Sequence, residues 1–206
     1  MTVETLTRLS VFPLAGAVLF PRMHLPLHIF EPRYRALVQH ALASDQRIGM
    51  VQPRGAGDPP ALFDIGCVGK IVHVEALDDG RYNIVLEGQN RFRIRREHQV
   101  KGAFRQIEAD LLPEPESHDL GLLERSSIER EARRFAERHG YVVDWEAVSR
   151  LDDEALVNGI AQVAPFDPAA KQALLEVDRL PDRAELIIQL MQFFGRHDGD
   201  NRVTLQ

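Results

Sequence analysis

The sequence is poor in the features that mark secreted, membrane and redox proteins. Its 206 residues include one cysteine, Cys67, so no disulfide can form within the chain and the composition fits a reducing compartment. No apolar run approaches the roughly 18 residues that a membrane-spanning helix needs. The first apolar run, residues 11–20, follows Glu4 and is interrupted by Pro13, unlike a secretory signal. These absences predict a soluble, cytoplasmic protein without a membrane partner.

Motifs for catalysis and for cofactor binding are also missing. The string nearest to a phosphate-binding GxxxxGK[ST] loop, Gly66–Ile71, has too short a glycine spacing and no hydroxyl residue after its lysine. GxSxG, HExxH and C-x-x-C do not occur. His24 and His28 are four residues apart, but Pro26 between them forbids the helix in which that spacing converges on one metal, and in a strand they would lie about 13 Å apart. We expect no cofactor, no metal and no catalytic residue, and we interpret Cys67 as a buried structural thiol.

Charge is distributed unevenly along an otherwise ordinary globular composition. Hydrophobic residues make up 44% and charged residues 27% of the chain, which is typical of an ordered protein with a core. The net charge is −6, with +1 on the first 115 residues and −7 on the remainder. The acidic second part disfavours a polyanion such as nucleic acid as the partner.

The first half of the sequence predicts strands with a single helix among them. Prolines recur between residues 13 and 32 and exclude a continuous helix there. Pro32 is suited to open a helix whose apolar residues begin with Tyr34 and Leu37. An Asp-Asp-Gly turn at residues 78–80 joins two alternating segments as a hairpin. Strands are predicted over Arg47–Val51, Ile65–Ala76, Tyr82–Leu86, Asn90–Arg96 and Phe104–Leu112.

The second half changes to helical periodicity after the proline-rich residues 113–117. A long helix is predicted to end at Gly140, with Leu120, Leu123, Ile128 and Phe135 facing inward. Three further helices are predicted to begin at the capping residues Asp144, Asp152 and Asp167, and a last one at Pro181.

Three stretches resemble a known family. They are LSVFPLAGAVLFPRMHLPLHIFEPRYRALV at Leu9–Val38, IGCVGKIVHVEALDDGRYNIVLEGQNRFRI at Ile65–Ile94 and KQALLEVDRLPDRAELIIQLM at Lys171–Met191. Each resembles the corresponding block of the Lon N-terminal domain, the substrate-recognition part of ATP-dependent Lon proteases. The likeness covers Leu9–Gly195 without an ATPase or protease motif, so we expect a stand-alone relative of that domain.

The resemblance implies an α+β fold. It predicts a PUA-like, mostly antiparallel β-barrel lobe with one helix over residues 1–116, an α-helical bundle over 117–196, and a disordered tail over 197–206. Residues of the family's motifs are expected to be structural: Pro26, Phe30, Glu31, Pro32, Arg33, Tyr34, Gly88, Arg91 and Phe92. Within this set, Arg33 and Glu31 are expected to tie the sheet to the helix that Pro32 opens.

The function that the resemblance implies is recognition of protein, without catalysis. Apolar residues of the early loop, Phe20, Met23, Leu25 and Ile29, are the candidate polypeptide-binding surface, since an exposed apolar patch can hold an unfolded chain. The implied partners are unfolded or client polypeptides, with a separate protease or chaperone receiving them.

Two alternatives are open at this point. A basic stripe, Arg91, Arg93, Arg95 and Arg96, suits phosphate and suggests an RNA-binding module, with Arg91, Arg93 and Arg95 on one strand face and Phe92 and Ile94 on the other. The same stripe is also explained as a solvated face paired with carboxylates such as Glu97 and Glu108. A small-molecule pocket between the two lobes is the other alternative, but no cluster of polar residues supports it.

Overall fold

The computed structural model describes residues 4–99, 102–113 and 119–197. The chain divides into two compact units, Met1–Glu114 and Pro115–Gln206, called here the sheet unit and the helical unit. The boundary predicted at residues 116–117 lies outside the described residues, and so does the predicted disordered tail except for His197. That residue is not in a tail, because it ends the last helix.

The sheet unit contains eight strands and one helix within its described residues. Most of the strands are separated by the turns and proline-rich segments that the sequence predicted. The strands and the helix, in chain order, are β1 Thr5–Pro13, β2 His24–Ile29, α1 Pro32–Leu42, β3 Arg47–Val51, β4 Pro53–Arg54, β5 Ala61–Leu62, β6 Ile65–Ala76, β7 Tyr82–His98 and β8 Arg105–Leu111. The hairpin turn between β6 and β7 forms at Gly80, whose φ of 79° suits glycine.

Six of these strands form one sheet in the order β2-β7-β6-β3-β1-β8. Only the β1–β3 pair is parallel, and the other pairs are antiparallel. Because β8 also pairs with the second half of β7, the pairings β7-β6-β3-β1-β8 return to β7 and close a ring of five strands. The predicted α+β fold with a mostly antiparallel, barrel-like sheet is confirmed.

The core of the sheet unit lies inside this ring. One cluster of its buried residues comes from five of the strands and consists of Leu9, Val11, Val51, Val68, Phe92, Ile107 and Ala109. Helix α1 adds Leu37, Val38 and Ala41, which share its buried face. Pro32 stands at the first turn of α1, as predicted, and the backbone carbonyl of Glu31 accepts the first helical hydrogen bonds.

One strand assignment from the sequence is wrong. Tyr82–Leu86 and Asn90–Arg96 were predicted as separate strands. In the structure β7 runs without interruption from Tyr82 to His98. Gly88 lies inside this strand, and the residue must be glycine because another backbone segment packs against it too closely for any side chain, as described below.

The helical unit follows the predicted order of helices. They are α2 Leu122–His139, α3 Trp145–Ser149, α4 Asp153–Val163, α5 Pro168–Glu176 and α6 Leu180–His197. The side chains of Asp144, Asp152 and Asp167 each accept a hydrogen bond from a first-turn amide of α3, α4 and α5, which confirms the three caps. Helix α2 ends at Gly140, which has a left-handed φ of 70°. Among the described residues, no helix combines the length and apolar character required to span a bilayer.

The buried face of α2 differs from the prediction. Leu123 is 85% exposed and Leu120 is only partly buried, whereas Ile128 and Phe135 face inward as expected. The remaining buried positions include Ala132 and Ala136, whose small side chains let α2 pack closely against α6. Arg183 of α6 is 4% exposed and joins three segments, donating to the side chain of Asn158 and to two backbone carbonyls.

Candidate functional site

The loop that precedes β2 is fixed to β7 at Gly88. The amide of Arg22 donates to the Gly88 carbonyl at 2.7 Å, and the Gly88 amide donates to the Met23 carbonyl at 2.8 Å. A Cβ atom at Gly88 would lie 2.0 Å from the carbonyl oxygen of Phe20, a distance that no side chain tolerates. Gly88 is therefore the residue that allows the loop to lie on the sheet.

Burial divides the four residues of the predicted apolar surface. Phe20 and Ile29 are buried at 0% and 1% exposure, so they belong to the core and cannot contact a partner directly. Met23 and Leu25 are partly exposed. Phe30 was predicted to be structural, but its ring is 60% exposed and stacks on His28 with a centroid distance of 6.2 Å. We call Met23, Leu25 and Phe30 the loop patch; Leu27, in the same segment, is also partly exposed.

Strand β2 lies at the end of the strand order, with β7 on one side. The Gly88 amide donates to the carbonyl of Met23, the residue opposite it in register, so the alternation of an antiparallel ladder makes Pro26 and Val85 a non-hydrogen-bonded pair. The nitrogen of Pro26 therefore points away from β7, where it has no hydrogen to donate. This proline removes the middle donor from the outer edge of β2 and hinders the addition of another strand.

The motif residues after β2 form a compact local structure. Arg33 donates to Glu31 at 2.9 Å and lies over the Tyr34 ring, 4.5 Å from its centroid. The Tyr34 hydroxyl donates to the Pro13 carbonyl, and its ring packs on Phe12. Burial raises the pKa of the Tyr34 phenol, with Arg33 opposing the shift. Tyr34 rather than the Arg33–Glu31 pair connects α1 to β1, so the predicted tie through that pair is wrong.

The two histidines of β2 are on its polar, exposed face. The Nδ1 atom of His28 lies 2.7 Å from the Asn83 amide oxygen, and its Nε2 atom lies 3.2 Å from an Arg81 nitrogen. Among the described residues, no group of three or more potential metal ligands is found. Cys67 is fully buried in β6, as predicted.

The structure breaks up the predicted arginine stripe. Arg91 is only 6% exposed, so it is not part of an accessible stripe, whereas Phe92 and Ile94 pack together in the core as the predicted alternation requires. Strand β7 changes register between Ile94 and Arg96 where it pairs with β8. Arg95 donates to Asp110 at 2.5 Å, Arg96 forms an ion pair with Glu108, and Arg93 is exposed. Two of the four guanidinium groups thus already bind carboxylates.

A mixed cavity of about 500 Å³ lies within the sheet unit. Arg33, Tyr34, His98, Phe104 and Arg105 are among its lining residues. Its basic groups are occupied, because Arg33 binds Glu31 and Arg105 binds Glu97 through two hydrogen bonds of 2.6 Å. The two arginines that line the cavity are thus already paired with carboxylates.

The helical unit contains an apolar groove that sequence reasoning missed. Its volume is about 280 Å³, and no charged side chain lines it. Val163 is 80% exposed and Tyr141 and Leu151 are also exposed, although all three line the groove. The groove cannot be recognised from a linear motif, because its lining residues come from α2, α3, α4, α6 and the connecting loops. They are Ala132, Phe135, Ala136, Tyr141, Val143, Trp145, Val148, Leu151, Leu156, Gly159, Ile160, Val163, Ala164, Pro165 and Met191.

Comparison with known proteins gives a consistent match. The model of the ATP-dependent protease La (LON) substrate-binding domain matches residues 8–192. Lon protease of Haemophilus influenzae is 26% identical over 203 residues, covering 93% of this chain and 25% of the relative. Lon protease of Escherichia coli strain K12 is 27% identical over 199 residues, covering 89% and 24%. The chain therefore spans about a quarter of the length of these relatives.

Two solved structures share the fold. The N-terminal domain of the Mycobacterium avium complex Lon protease superimposes with a TM-score of 0.71 and 21% identity, covering 90% of this chain and 98% of that one. A Lon N-terminal domain protein from Xanthomonas campestris gives a TM-score of 0.66 and 20% identity, covering 89% and 98%.

Proposed function

The chain belongs to the family of LON substrate-binding domains, and we propose that it is a recognition module that binds exposed apolar segments of client polypeptides. The match over residues 8–192 is the observation that carries this proposal. The module has no catalysis of its own in this proposal and passes its clients to a separate protease or chaperone.

The loop patch is the first contact surface for such a client. Met23 and Leu25 are partly exposed, and the Phe30 ring is largely in solvent. Burial of apolar area gives affinity without reading a particular sequence, and the flexible thioether of methionine adapts to different neighbours. These properties suit a domain that must hold many different unfolded chains.

The outer edge of β2 supports capture through side chains rather than through strand addition. A peptide that extended the sheet would need the backbone donor that Pro26 lacks. Binding to the loop patch therefore relies on apolar contacts, which are non-directional, and we expect modest affinity and broad tolerance of client sequence.

Replacement of Met23 by aspartate tests the loop patch. We expect Met23→Asp to weaken the binding of a labelled, permanently unfolded polypeptide by roughly fivefold to tenfold, because a charge in place of a central apolar contact should cost about 1 kcal/mol or more. Fluorescence anisotropy of the full chain measures this change. Leu122→Asp is the matched control, since Leu122 is also apolar, is 90% exposed and lies in the helical unit.

The control variant should bind the polypeptide as the unmodified protein does. Unchanged affinity in Met23→Asp would exclude the loop patch as a contact surface. Failure of the unmodified protein to bind any unfolded polypeptide would exclude the proposed function itself.

A further inference from the structure

We infer that the apolar groove of the helical unit is a second client-binding site, which takes a short apolar segment flanked by lysine or arginine. The inference rests on the proposed function, because it names the segment that a client would present at this site. It adds a location and a charge preference that the loop patch does not supply.

The lining of the groove selects apolar groups. All fifteen lining residues are apolar, aromatic or glycine, apart from the hydroxyl of Tyr141 and the indole nitrogen of Trp145. A polar ligand would lose its hydration in such a groove and would find few partners to replace it. Leucine or phenylalanine side chains would instead gain from leaving water.

The size of the groove favours side chains over a whole cofactor. Its volume of about 280 Å³ equals that of roughly nine water molecules at about 30 Å³ each. Pockets for drug-sized ligands usually measure about 300 to 1,000 Å³. The groove therefore fits one or two large side chains, which an extended or helical segment can insert while its backbone stays outside.

The mouth of the groove is apolar surface left in water. Val163 is the last residue of α4 and points mostly into solvent, although it lines the groove. Tyr141 and Leu151, at 49% and 40% exposure, also line the groove. Contiguous apolar surface of this kind is typical of sites that a partner covers.

Charge specifies the partner further. The sequence from residue 116 onward has a net charge of −7. Three exposed acidic residues, Asp144, Glu146 and Asp152, are immediate sequence neighbours of the lining residues Trp145 and Leu151.

Two arginines are also near the groove. Arg150 is paired with Glu146, and Arg133 lies over the Trp145 ring, 4.6 Å from its centroid. Arg134, next to the lining residue Phe135, is a third arginine, but Glu131 and Glu137 are two further carboxylates next to lining residues. Five carboxylates against three arginines leave an acidic excess, so basic flanks on a client segment would be attracted and acidic flanks repelled.

The single tryptophan of the chain provides a direct probe, because Trp145 lines the groove. Two synthetic peptides would share the core Leu-Phe-Leu-Val and differ only in their flanks, two lysines or two glutamates at each end. Titration of the full chain at low salt should shift the Trp145 emission to shorter wavelength. We expect the lysine-flanked peptide to bind about tenfold more tightly, with the difference shrinking as salt screens the charges.

Val163→Asp should reduce binding of the lysine-flanked peptide about tenfold, while Leu122→Asp leaves it unchanged. Because Val163 is 80% exposed, we expect Val163→Asp to fold normally, and circular dichroism of both variants checks their folding. Tyr141→Ser is a second variant at the mouth and should weaken binding in the same direction.

The outcomes separate this site from the proposed function. If a peptide binds without changing the Trp145 emission, and if Val163→Asp does not affect its affinity, the groove is not the binding site. Binding of the unfolded polypeptide, measured by anisotropy, would in that case still support the proposed function. Equal affinity for the two peptides at low salt would overturn the charge preference. Failure of the unmodified protein to bind either peptides or unfolded polypeptide would overturn both proposals.

Discussion

In the sheet unit the tightest packing is between backbone segments, whereas in the helical unit polar side chains join the helices. A Cβ atom at Gly88 would lie 2.0 Å from the Phe20 carbonyl oxygen, and one at Gly66 would lie 2.5 Å from the Met50 carbonyl oxygen. In the helical unit, the single guanidinium group of Arg183 donates to Asn158 of α4 and to the carbonyls of Leu174 and Val177.

This difference shows that the two units fail in opposite ways. A single added carbon is the most damaging change in the sheet unit, because two backbone segments must then separate. Removal of a polar group is the most damaging change in the helical unit, because buried carbonyls and amides lose their partners. The side chains of Met23 and Val163 are at least partly exposed, so each candidate binding surface can be altered at a side chain without adding an atom at Gly88 or removing the Arg183 donor.

The largest expected effect is at Arg183. Arg183→Met keeps the aliphatic stem but leaves the Asn158 oxygen and two carbonyls without this donor, so we expect a loss of about 3 to 5 kcal/mol in the free energy of unfolding. Urea denaturation followed by Trp145 fluorescence reports on the helical unit. Arg179→Met is the control, since Arg179 is 73% exposed and its contact with Asp182 is a long 3.9 Å. Equal losses in the two variants would contradict the account.

The backbone contact at Gly88 should have the next largest effect. Gly88→Ala forces the Phe20–Met23 loop away from β7, and we expect a loss of about 2 to 3 kcal/mol. Amide hydrogen exchange in β7 and urea denaturation measure it. Gly102→Ala is the matched control, because its nearest neighbour, the Phe104 carbonyl oxygen, would be 3.8 Å from the new Cβ. If alanine is tolerated equally at both glycines, the close approach is not what holds the loop.

A smaller effect is expected at the helix caps. The Asp167 carboxylate accepts from the Ala170 amide at 2.7 Å, so Asp167→Ala should cost about 1 kcal/mol of stability. Asp167→Asn keeps an acceptor oxygen and should cost only a few tenths of a kcal/mol. Thermal unfolding of the two variants compares them, and identical losses would show that the cap hydrogen bond does not stabilise α5.

The smallest effect concerns pH. The Thr5 hydroxyl, at 2.7 Å, and then Arg95 hold the pKa of Asp110 below its ordinary value. The folded state therefore binds fewer protons here than the unfolded state, so this contribution to stability is complete above the unfolded pKa and is lost as the pH falls through the folded one. Carboxyl NMR titration should show that Thr5→Val raises the pKa of Asp110. A titration unchanged by that substitution would contradict the assignment.

Local chemistry made much of the fold predictable. Proline at the start of α1 and α5, aspartate at three caps and glycine at the Gly80 and Gly140 turns all act within a few residues of their position, so they can be recognised from the sequence. The bounds of β3 and β6 were predicted correctly because β-branched and apolar residues define them.

Features that depend on distant contacts were not predictable. The requirement for glycine at position 88 depends on the Phe20 carbonyl, which lies far away in sequence. Leu123 was expected to face inward, but alanines rather than leucines occupy much of the buried face of α2. Arg91 is indistinguishable in sequence from the exposed Arg93, although it is only 6% exposed. The apolar groove, assembled from four helices and their loops, leaves no local signal.

The most direct test of the central claim is the salt dependence of binding. Fluorescence anisotropy would compare a labelled unfolded polypeptide with a labelled structured RNA at about 50 mM and about 500 mM salt. We expect the polypeptide to bind with an affinity that differs by less than about threefold between the two salt concentrations, since burial of apolar area is little affected by screening. RNA binding that falls steeply with salt, and that is lost in Arg93→Glu with Arg95→Glu, would contradict it, because release of counterions from phosphate would then drive recognition.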